Sequence, residues 1–565
     1  MPPGRVAAGH LSAEPPLTSP AGEPASPGAA PAVVLVLNGR PAVVAAPAAD
    51  CSLLDALREV LGVRSVKDGC SPQGQCGCCT VLVDGAPRVA CVTPLRRVAD
   101  RKITTLEGLA PDLLERWARA FADHGASQCG FCSPGIVLRL AALADRPRPP
   151  TERDVRSALL AHLCRCTGWQ GVVDAARAVL GIAPGSGEAA PPAAGRDPLR
   201  SAWRAELEGG TPQLTGVGAV LGRGGFADDR APPGALVAVR SASGDYLVAP
   251  DRGAARRAVG KVQGRNSTVG VRHPVAVPEG DWALTLRTTW VEPAYLEPDA
   301  SWSIDGRRAA SPLAAGGAFG GKRSSPVAPE ARRLAASLGR PVRVLWSRED
   351  VGRWGPKRPP VAMAVAADGH GVVRVGASPG GADLGALAER LAAVEPRFRL
   401  EQVPVVGPPV SAELRGVGWV EPAVLGAAWR VWRQGTVGAG VPVDVRAPGG
   451  GRARVAVRGD GGVEVEVWAG EVLDEVVLRS YCTGAVHQAL GWVWSEGVAV
   501  DDDGEVLDLT IRSLGILNAL EMPEVELTVH RSDGWPRNGS DAVFAATAAA
   551  AWAAEGLPPT WPTRR

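Results

Sequence analysis

Four cysteines fall within ten positions of this 565-residue chain, in the stretch DGCSPQGQCGCCTVLVDG at residues 68–85. The whole chain has only 11 cysteines, so this concentration is not explained by composition. Thiolates that converge on one point bind iron–sulfur clusters or zinc. The first thirty residues do not read as a secretory leader, and in a reducing compartment clustered cysteines indicate a metal rather than disulfides. The stretch therefore predicts a metal centre.

Eight cysteines divide into two groups of four. Three members of the first group share one loop and the fourth lies on the next predicted hairpin: Cys70, Cys76, Cys79 and Cys91. The second group pairs a C-x-x-C with a C-x-C: Cys129, Cys132, Cys164 and Cys166. Gly74 and Gly77 allow the first loop to turn backbone N–H groups toward sulfur. On spacing alone, each group suits either a [2Fe–2S] cluster or a structural zinc ion.

The segments around the first group predict a small α+β unit. Residues 32–45 and 80–92 read as hairpins that turn at Asn-Gly and Asp-Gly pairs. The stretch DCSLLDALREVLG, beginning at residue 50, has apolar residues at helical spacing. Either Asp50 or Ser52 is expected to cap that helix.

Four stretches with helical periodicity follow, across residues 107–182. Thr151 and Asp154 predict a capping box at the start of the third helix. The segment APGSGEAAPPAAGRDP, residues 183–198, reads as a linker. Beyond it, strand-like and helix-like stretches alternate without an internal repeat, which predicts a second α+β region.

The charge balance and the apolar content of the chain bear on which partners it can have. Lys and Arg number 61 and Asp and Glu 59, so the formal net charge is +2. This balance argues against a dedicated nucleic-acid binder. No run of about 18 apolar residues predicts a membrane span, and a cytoplasmic location is the expectation.

The residues around both cysteine groups resemble the iron–sulfur subunit of the xanthine dehydrogenase / aldehyde oxidoreductase family of molybdenum hydroxylases. The resemblance rests on LLDALREVLGVRSVKDGC, QCGCCTVLVDG, ACVTP, ITTLEGL, QCGFCSPG and LCRCTGW. It implies a plant-ferredoxin-like domain whose distal [2Fe–2S] cluster is held by the first group. It also implies a four-helix domain whose second cluster, nearer to molybdenum, is held by the second group. Gln128 matches a family residue that contacts the pterin.

The second half resembles the molybdenum-cofactor subunit of the same family, in LTGVGAVLGRGGFADDRAPPGALVAV, LRTTWVEPAYLEPDA and AAGGAFGGKRSSPVAPEARRLAASLGRPVRVLWSRED. The resemblance implies a Gly-rich molybdopterin loop in which Phe319 lines the pocket and three glycines approach the cofactor: Gly317, Gly320 and Gly321. An ordinary glycine turn before a helix is the alternative. Asp541 best matches the family's catalytic Glu, the general base, although Ser540 or Asp541 could equally cap a helix.

Four departures from the family pattern stand out. The first loop reads C-x5-C instead of C-x4-C, an insertion of one residue at about Pro72. The family's Arg-Gly-Phe-Gly loop has no good match, since ELRGVGWVEPAV is only superficially similar, and the Gln-Gly loop is absent. Residues 199–565 are also much shorter than the family's molybdenum subunit.

The predicted fold class is α+β, with a plant-ferredoxin-like β-grasp domain, a four-helix [2Fe–2S] domain and an α+β molybdopterin-binding region. The boundaries are expected to be a disordered tail at 1–30, the ferredoxin-like domain at 31–106, the helical domain at 107–182, a linker at 183–205, and molybdopterin-binding parts at 206–425 and 426–565.

Two functions are consistent with these features. The first is a molybdenum hydroxylase that adds water-derived oxygen to an aldehyde or N-heterocycle and passes electrons through both clusters to a flavin subunit or other acceptor. Its cofactors would be two [2Fe–2S] clusters and molybdopterin, in the cytosine dinucleotide form. Its partners would be a small-molecule substrate and a separate FAD-binding subunit, and a homodimer is compatible. The second is an electron-transfer or scaffold protein with a degenerate molybdenum domain. A closed cavity beside Gln128, Phe319 and Asp541 would favour the first.

A serine at one ligand position tests the cysteine assignment. We expect Cys79→Ser to perturb one [2Fe–2S] signal in electron paramagnetic resonance (EPR) and to spare the other, because Cys79 belongs to one group only. Two unchanged signals would contradict the assignment.

Overall fold

The computed structural model describes residues 32–45, 51–183, 195–260, 270–313, 316–379, 385–507 and 509–565. The predicted tail at 1–30, the candidate cap Asp50 and residues 184–194 of the predicted linker lie outside the described residues. Within the described ranges, every helix is too short or too polar to cross a membrane.

The first unit is a five-stranded mixed sheet in the order β2-β1-β5-β3-β4. Its strands are β1 (Val33–Leu37), β2 (Arg40–Val44), β3 (Thr80–Val83), β4 (Ala86–Val89) and β5 (Lys102–Thr104). Both predicted hairpins form, and β5 pairs in parallel with β1. A short helix α1 (Leu53–Asp55) continues as a π-helical turn, and the Ser52 hydroxyl caps it by accepting from the Asp55 N–H at 3.1 Å. The ferredoxin-like β-grasp prediction is confirmed.

The second unit has the four predicted helices: α2 (Pro111–Asp123), α3 (Ser133–Ala144), α4 (Glu152–Ala158) and α5 (Gln170–Leu180). The capping box is present, because Thr151 and Asp154 bond each other's backbone N–H reciprocally. The second cysteine group lies at the turns of this unit. Cys132 immediately precedes α3, and Cys164 and Cys166 stand between α4 and α5.

The remaining chain builds three four-stranded sheets, in the orders β7-β6-β10-β9, β13-β12-β11-β8 and β14-β15-β16-β17. The strands are β6 (Leu236–Arg240), β7 (Tyr246–Ala249), β8 (Leu284–Arg287), β9 (Ala300–Ser303), β10 (Val342–Leu345), β11 (Val361–Val365), β12 (Gly371–Ala377), β13 (Phe398–Pro404), β14 (Val443–Arg446), β15 (Arg452–Val457), β16 (Val463–Trp468) and β17 (Val525–His530). The helices are α6 (Pro198–Gly209), α7 (Val217–Val220), α8 (Arg252–Val259), α9 (Val327–Leu338), α10 (Arg348–Trp354), α11 (Leu387–Ala392), α12 (Val420–Arg433), α13 (Glu475–Trp494) and α14 (Ser540–Ala554).

One expected boundary differs from the structure. Residues 198–205, expected in the linker, are the first part of α6, because Pro198 occupies its first turn and the Asp197 carboxylate caps it. The Gly-rich stretch 216–222 contains the short helix α7. The glycine string near residue 450 is the turn of the β14–β15 hairpin.

Helices α13 and α14 form the centre of the second half. Nearly all residues of both helices are buried, and they pack against each other, with α12, β14 and β15 also on α14. A helix that is apolar on every side is a core helix. Helix α13 also contacts the first half of the chain, because its Gly484 lies against Cys166 of the second cysteine group.

Gly484 provides a test of this junction. An alanine inside a helix normally stabilises by about 1 kcal/mol over glycine. Here the added Cβ would lie 1.7 Å from the Cys166 carbonyl oxygen. We therefore expect Gly484→Ala to lower the free energy of unfolding by about 1–3 kcal/mol, measured by urea denaturation. Gly253→Ala in α8, where the new Cβ would meet only side-chain ends, is the control and should not destabilise the protein by that amount. Equal effects of the two substitutions would argue against the close junction.

Candidate redox site

The four thiols of the first group lie together in the interior. Cys70 is within hydrogen-bonding reach of the thiols of Cys76 and Cys91, and Cys91 is within reach of Cys79. All four are at most 5% exposed. Backbone N–H groups point at the sulfurs as expected, since the Gln75 N–H donates to Cys70 Sγ at 3.4 Å. Gly74 and Gly77 have φ values of 72° and 73°, which glycine alone adopts readily.

The second group consists of two thiol pairs. Cys129 and Cys166 have their Sγ atoms 3.6 Å apart. Cys132 and Cys164 form the other pair, and the hydrogen bond from Cys132 lowers the pKa of Cys164 to about 6 while the pKa of Cys132 is raised. Among the described residues, no three His, Cys, Asp or Glu side chains are arranged as ligands of a single ion. Pairs of thiols suit a two-iron cluster, with two thiolates on each iron, better than one zinc ion.

The two cysteine loops touch each other through Phe131, which lies between Cys129 and Cys132 in the sequence. A Cβ built on Gly69, next to Cys70, would lie 3.0 Å from Cys76 Sγ and 3.2 Å from the Phe131 ring. The aromatic ring of the second loop therefore packs against the first loop. This contact places the two groups side by side, as a chain of one-electron carriers requires.

A buried ion pair supports the second group. Arg165 stands between Cys164 and Cys166, and both of its terminal nitrogens donate to the Glu496 carboxylate at 2.5 and 2.6 Å. The two side chains are 6% and 2% exposed. Burial raises the pKa of Glu496, although the guanidinium opposes this effect. The positive charge of Arg165, neutralised by Glu496, therefore lies next to Cys164 and Cys166.

Gln128 is already hydrogen-bonded within the protein. Its side-chain amide donates to the Cys166 carbonyl at 2.9 Å and to Ser480 Oγ at 3.0 Å. The Gly-rich loop lies close by, since a Cβ on Gly317 would be 2.9 Å from Cys129 Cβ and 3.2 Å from Cys166 Sγ. The glycine there permits direct packing of the loop on the second cysteine group.

The other loop residues make equally tight contacts. A Cβ on Gly320 would be 1.8 Å from the Glu413 carbonyl oxygen, and one on Gly321 would be 2.7 Å from the Tyr295 ring. Phe319 has a φ of 50°, in the left-handed region, and lines a small cavity. The loop is thus packed tightly against the Glu413 backbone and the Tyr295 ring.

Asp541 does not cap a helix, contrary to that alternative. The N-terminal N–H groups of α14 at Gly539 and Ser540 donate to the buried carboxylate of Glu208 at 3.0 and 2.9 Å. Asp541 Oδ1 instead accepts from Arg415 Nε at 2.7 Å, and Arg415 also donates to Ser540 Oγ at 2.6 Å.

Arg415 is the site residue that sequence reasoning missed. It belongs to ELRGVGWVEPAV, the stretch set aside as a superficial match. The structure brings it to Asp541 and to the rim of the cavity that Phe319 lines. The arginine-glycine order at 415–416 was the only signal in the sequence that could have identified it.

The cavities among these residues are smaller than a molybdopterin. Three cavities lie beside the second cysteine group and Gly317, beside Phe319 and Arg415, and beside Gln128, and they measure about 10, 40 and 20 Å³. A cavity of 10–15 Å³ holds about one water, and sites for organic ligands measure about 300–1,000 Å³. The residues matched to the cofactor are present, but other side chains fill the volume between them.

The first third of the chain matches two families of iron–sulfur domains. Residues 35–101 match a family described as "2Fe-2S iron-sulfur cluster binding domain", and residues 105–177 one described as "[2Fe-2S] binding domain". The nicotinate dehydrogenase small FeS subunit of Eubacterium barkeri is 44% identical over 121 residues, which are 21% of this chain and 74% of that protein. The xanthine dehydrogenase iron-sulfur-binding subunit of Escherichia coli O157:H7 is 43% identical over 125 residues, which are 22% of this chain and 77% of that protein.

The longer relatives are matched only in part by sequence. Aldehyde oxidoreductase of Megalodesulfovibrio gigas is 47% identical over 131 residues, which are 22% of this chain and 14% of that protein. The solved structure of the aldehyde oxidoreductase from Desulfovibrio gigas superimposes with a TM-score of 0.67 at 16% identity, covering 94% of this chain and 99% of that chain. The overall fold is therefore that of aldehyde oxidoreductase along nearly the whole chain.

The two matched families and the paired cysteine groups define a protein that carries two [2Fe–2S] domains. The chain belongs to the xanthine dehydrogenase / aldehyde oxidoreductase family of molybdenum hydroxylases. The expected family and fold class are confirmed.

Removal of the Glu496 charge tests how the protein supports the second group. We expect Glu496→Gln to cost about 3–5 kcal/mol of stability, because Arg165 would remain buried without its partner. The unpaired positive charge beside Cys164 and Cys166 should also raise the midpoint potential of one cluster in EPR-monitored titration. Glu421→Gln, which breaks the buried pair with Arg358, is the control: it should destabilise the protein and leave both potentials unchanged. A Glu496→Gln protein with unaltered potentials would argue against this role.

Proposed function

We propose that this chain carries electrons through two [2Fe–2S] clusters in the molybdenum hydroxylase-type oxidation of an aldehyde or an N-heterocycle. The observation that supports this proposal is the contact of the two cysteine loops through Phe131, which lies between Cys129 and Cys132 in the sequence and packs near Gly69, the neighbour of Cys70. When bound, such clusters supply one-electron transfer. The chain's own residues hold the thiols, direct backbone N–H groups at sulfur and exclude water.

The proposed ligands are the two groups defined by the sequence: Cys70, Cys76, Cys79 and Cys91 for the distal cluster, and Cys129, Cys132, Cys164 and Cys166 for the other. Electrons would leave to a separate FAD-binding subunit or another acceptor. The similarity to iron–sulfur subunits of larger dehydrogenases supports a partner subunit. The domain boundaries, a homodimer and a cytoplasmic location are parts of the same proposal.

A second candidate function is electron transfer without a molybdenum centre on this chain. The filled space between Gln128, Phe319 and Asp541 favours it, since the cavities there hold only a few waters. In this form another subunit would hold the molybdopterin, and the second half would be a scaffold for the clusters. In the first form the chain itself would bind the cofactor, in the proposed cytosine dinucleotide form, through Gln128, Gly317, Phe319, Gly320 and Gly321. That form requires these side chains to move apart.

The metal content of the purified chain tests both forms. We expect about four iron atoms with acid-labile sulfide per chain, because each group of four thiols suits one two-iron cluster. About one molybdenum per chain would assign the hydroxylation to this chain. Iron without molybdenum, after coexpression with cofactor-insertion proteins, would assign it to a partner. Zinc in place of iron would contradict both forms.

Asp541 separates the two forms by activity. If this chain performs the hydroxylation with Asp541 as general base, Asp541→Ala should abolish turnover and leave both cluster EPR signals intact. The exposed Asp533→Ala on the preceding loop is the matched control and should keep full turnover. Full turnover by the Asp541→Ala protein would show that Asp541 is only a structural partner of Arg415.

A further inference from the structure

A large cavity lies between the first cysteine loop and the second half of the chain. It measures about 490 Å³, within the range of sites for small organic ligands. It opens between the first cysteine loop, helix α8 and the end of strand β6, and we call it the loop cavity. The loops of both cysteine groups contribute to its wall, through Ser71 and Pro72 of the first and Phe131 of the second.

The lengthened segment of the C-x5-C loop forms part of the cavity wall. Ser71 and Pro72 lie in the lengthened segment between Cys70 and Cys76, and both line the loop cavity. Arg256 of α8 fixes the segment by donating to Ser71 Oγ at 2.9 Å. Ser71 has a φ of 47°, a conformation that a non-glycine residue adopts only where its surroundings require it. The departure from the family spacing thus forms one side of a cavity.

The charges nearest the cysteine loop are paired within the protein. Arg58 donates to Asp228 and Asp229, both at 2.8 Å. Arg252 bonds Asp68 at 3.0 Å, and Arg256 bonds the same carboxylate. Because these cations and carboxylates neutralise each other, this side of the wall offers little to a strongly charged ligand.

The rest of the wall is largely apolar and aromatic. Phe131 and Phe226 meet edge to face with centroids 5.2 Å apart. Trp346 and Trp354 also line the cavity, and the Arg240 guanidinium stacks on Trp354 at 4.0 Å. Aromatic side chains pack favourably with planar rings by stacking or edge-to-face contact.

We propose that the loop cavity binds an uncharged, planar aromatic electron acceptor of the quinone class. A cavity whose wall includes both cysteine loops brings a bound ring next to the residues proposed to hold the clusters, so the choice of a redox-active ring rests on the proposed function. Reduction of a quinone to a hydroquinone takes two electrons and two protons and converts two C=O groups to C–OH. The electrons are those released by oxidation of the aldehyde or N-heterocycle.

A proton donor is present in the same wall. Asp350 lines the loop cavity, and burial raises the pKa of its carboxyl to about 6. Glu349 beside it also lines the cavity, and burial raises its pKa as well. The Asp350 carboxyl can therefore exchange a proton near neutral pH.

Calorimetric titration of the oxidised, purified protein with menadione tests the proposal without any turnover. We expect one binding site per chain. Ala242→Trp, which places an indole in the loop cavity, should weaken binding by at least about tenfold. Ala393→Trp at an exposed position outside the cavity is the matched control and should bind as the wild type does.

EPR spectra that match the wild type would show that a variant is folded, and Val239→Trp on β6 replaces Ala242→Trp if the latter fails to fold. Absence of menadione binding, or binding unaffected by both cavity substitutions, would overturn the proposal. Tighter binding of lumiflavin than of menadione would overturn the quinone class. Because binding is measured on resting protein, a failed hydroxylase assay would not affect this result.

Discussion

The structure depends on the close approach of backbone segments around the second cysteine group. Gly484 of α13 faces the Cys166 carbonyl, Gly168 faces the Thr483 carbonyl, and Gly130 faces the Ala219 carbonyl, each at a distance that a Cβ would violate. Interiors are close-packed, so such contacts cannot loosen without disturbing their neighbours. The helical cluster unit is therefore built into the second half and does not act as a separate module attached by a linker.

The same packing accounts for the filled space near the Gly-rich loop. Gly317 rests directly on Cys129 and Cys166, Gln128 bonds the Cys166 carbonyl, and Arg415 bonds Asp541. The ion pair of Arg204 with Glu208 is fully buried and fixes the start of α14 in the same way. The features that anchor the second cysteine group thus leave only small cavities beside Gly317, Phe319 and Gln128.

Sequence similarity and fold similarity are distributed differently along the chain. The cysteine-bearing part is 43–44% identical to iron–sulfur subunits of known dehydrogenases. The whole chain keeps the fold of aldehyde oxidoreductase at only 16% identity. Holding four thiols in position for a cluster restricts almost every residue of a cysteine loop. A scaffold, in contrast, keeps its fold as long as its pattern of apolar residues is maintained. The loop cavity lies at the border of the two parts, where α8 and β6 meet the first loop.

The sequence alone determined the features that short-range chemistry encodes. Cysteine spacing defined both thiol groups, Asn-Gly and Asp-Gly pairs defined two hairpins, and Thr151 with Asp154 defined a helix start. The tertiary structure alone decided that Arg415 meets Asp541, 126 residues away, that Glu208 caps α14, and that the space near Gln128 is filled. Local patterns specify backbone angles and hydrogen bonds within a few residues. Which distant side chains share a cavity, and whether it stays open, depends on how all the elements pack together.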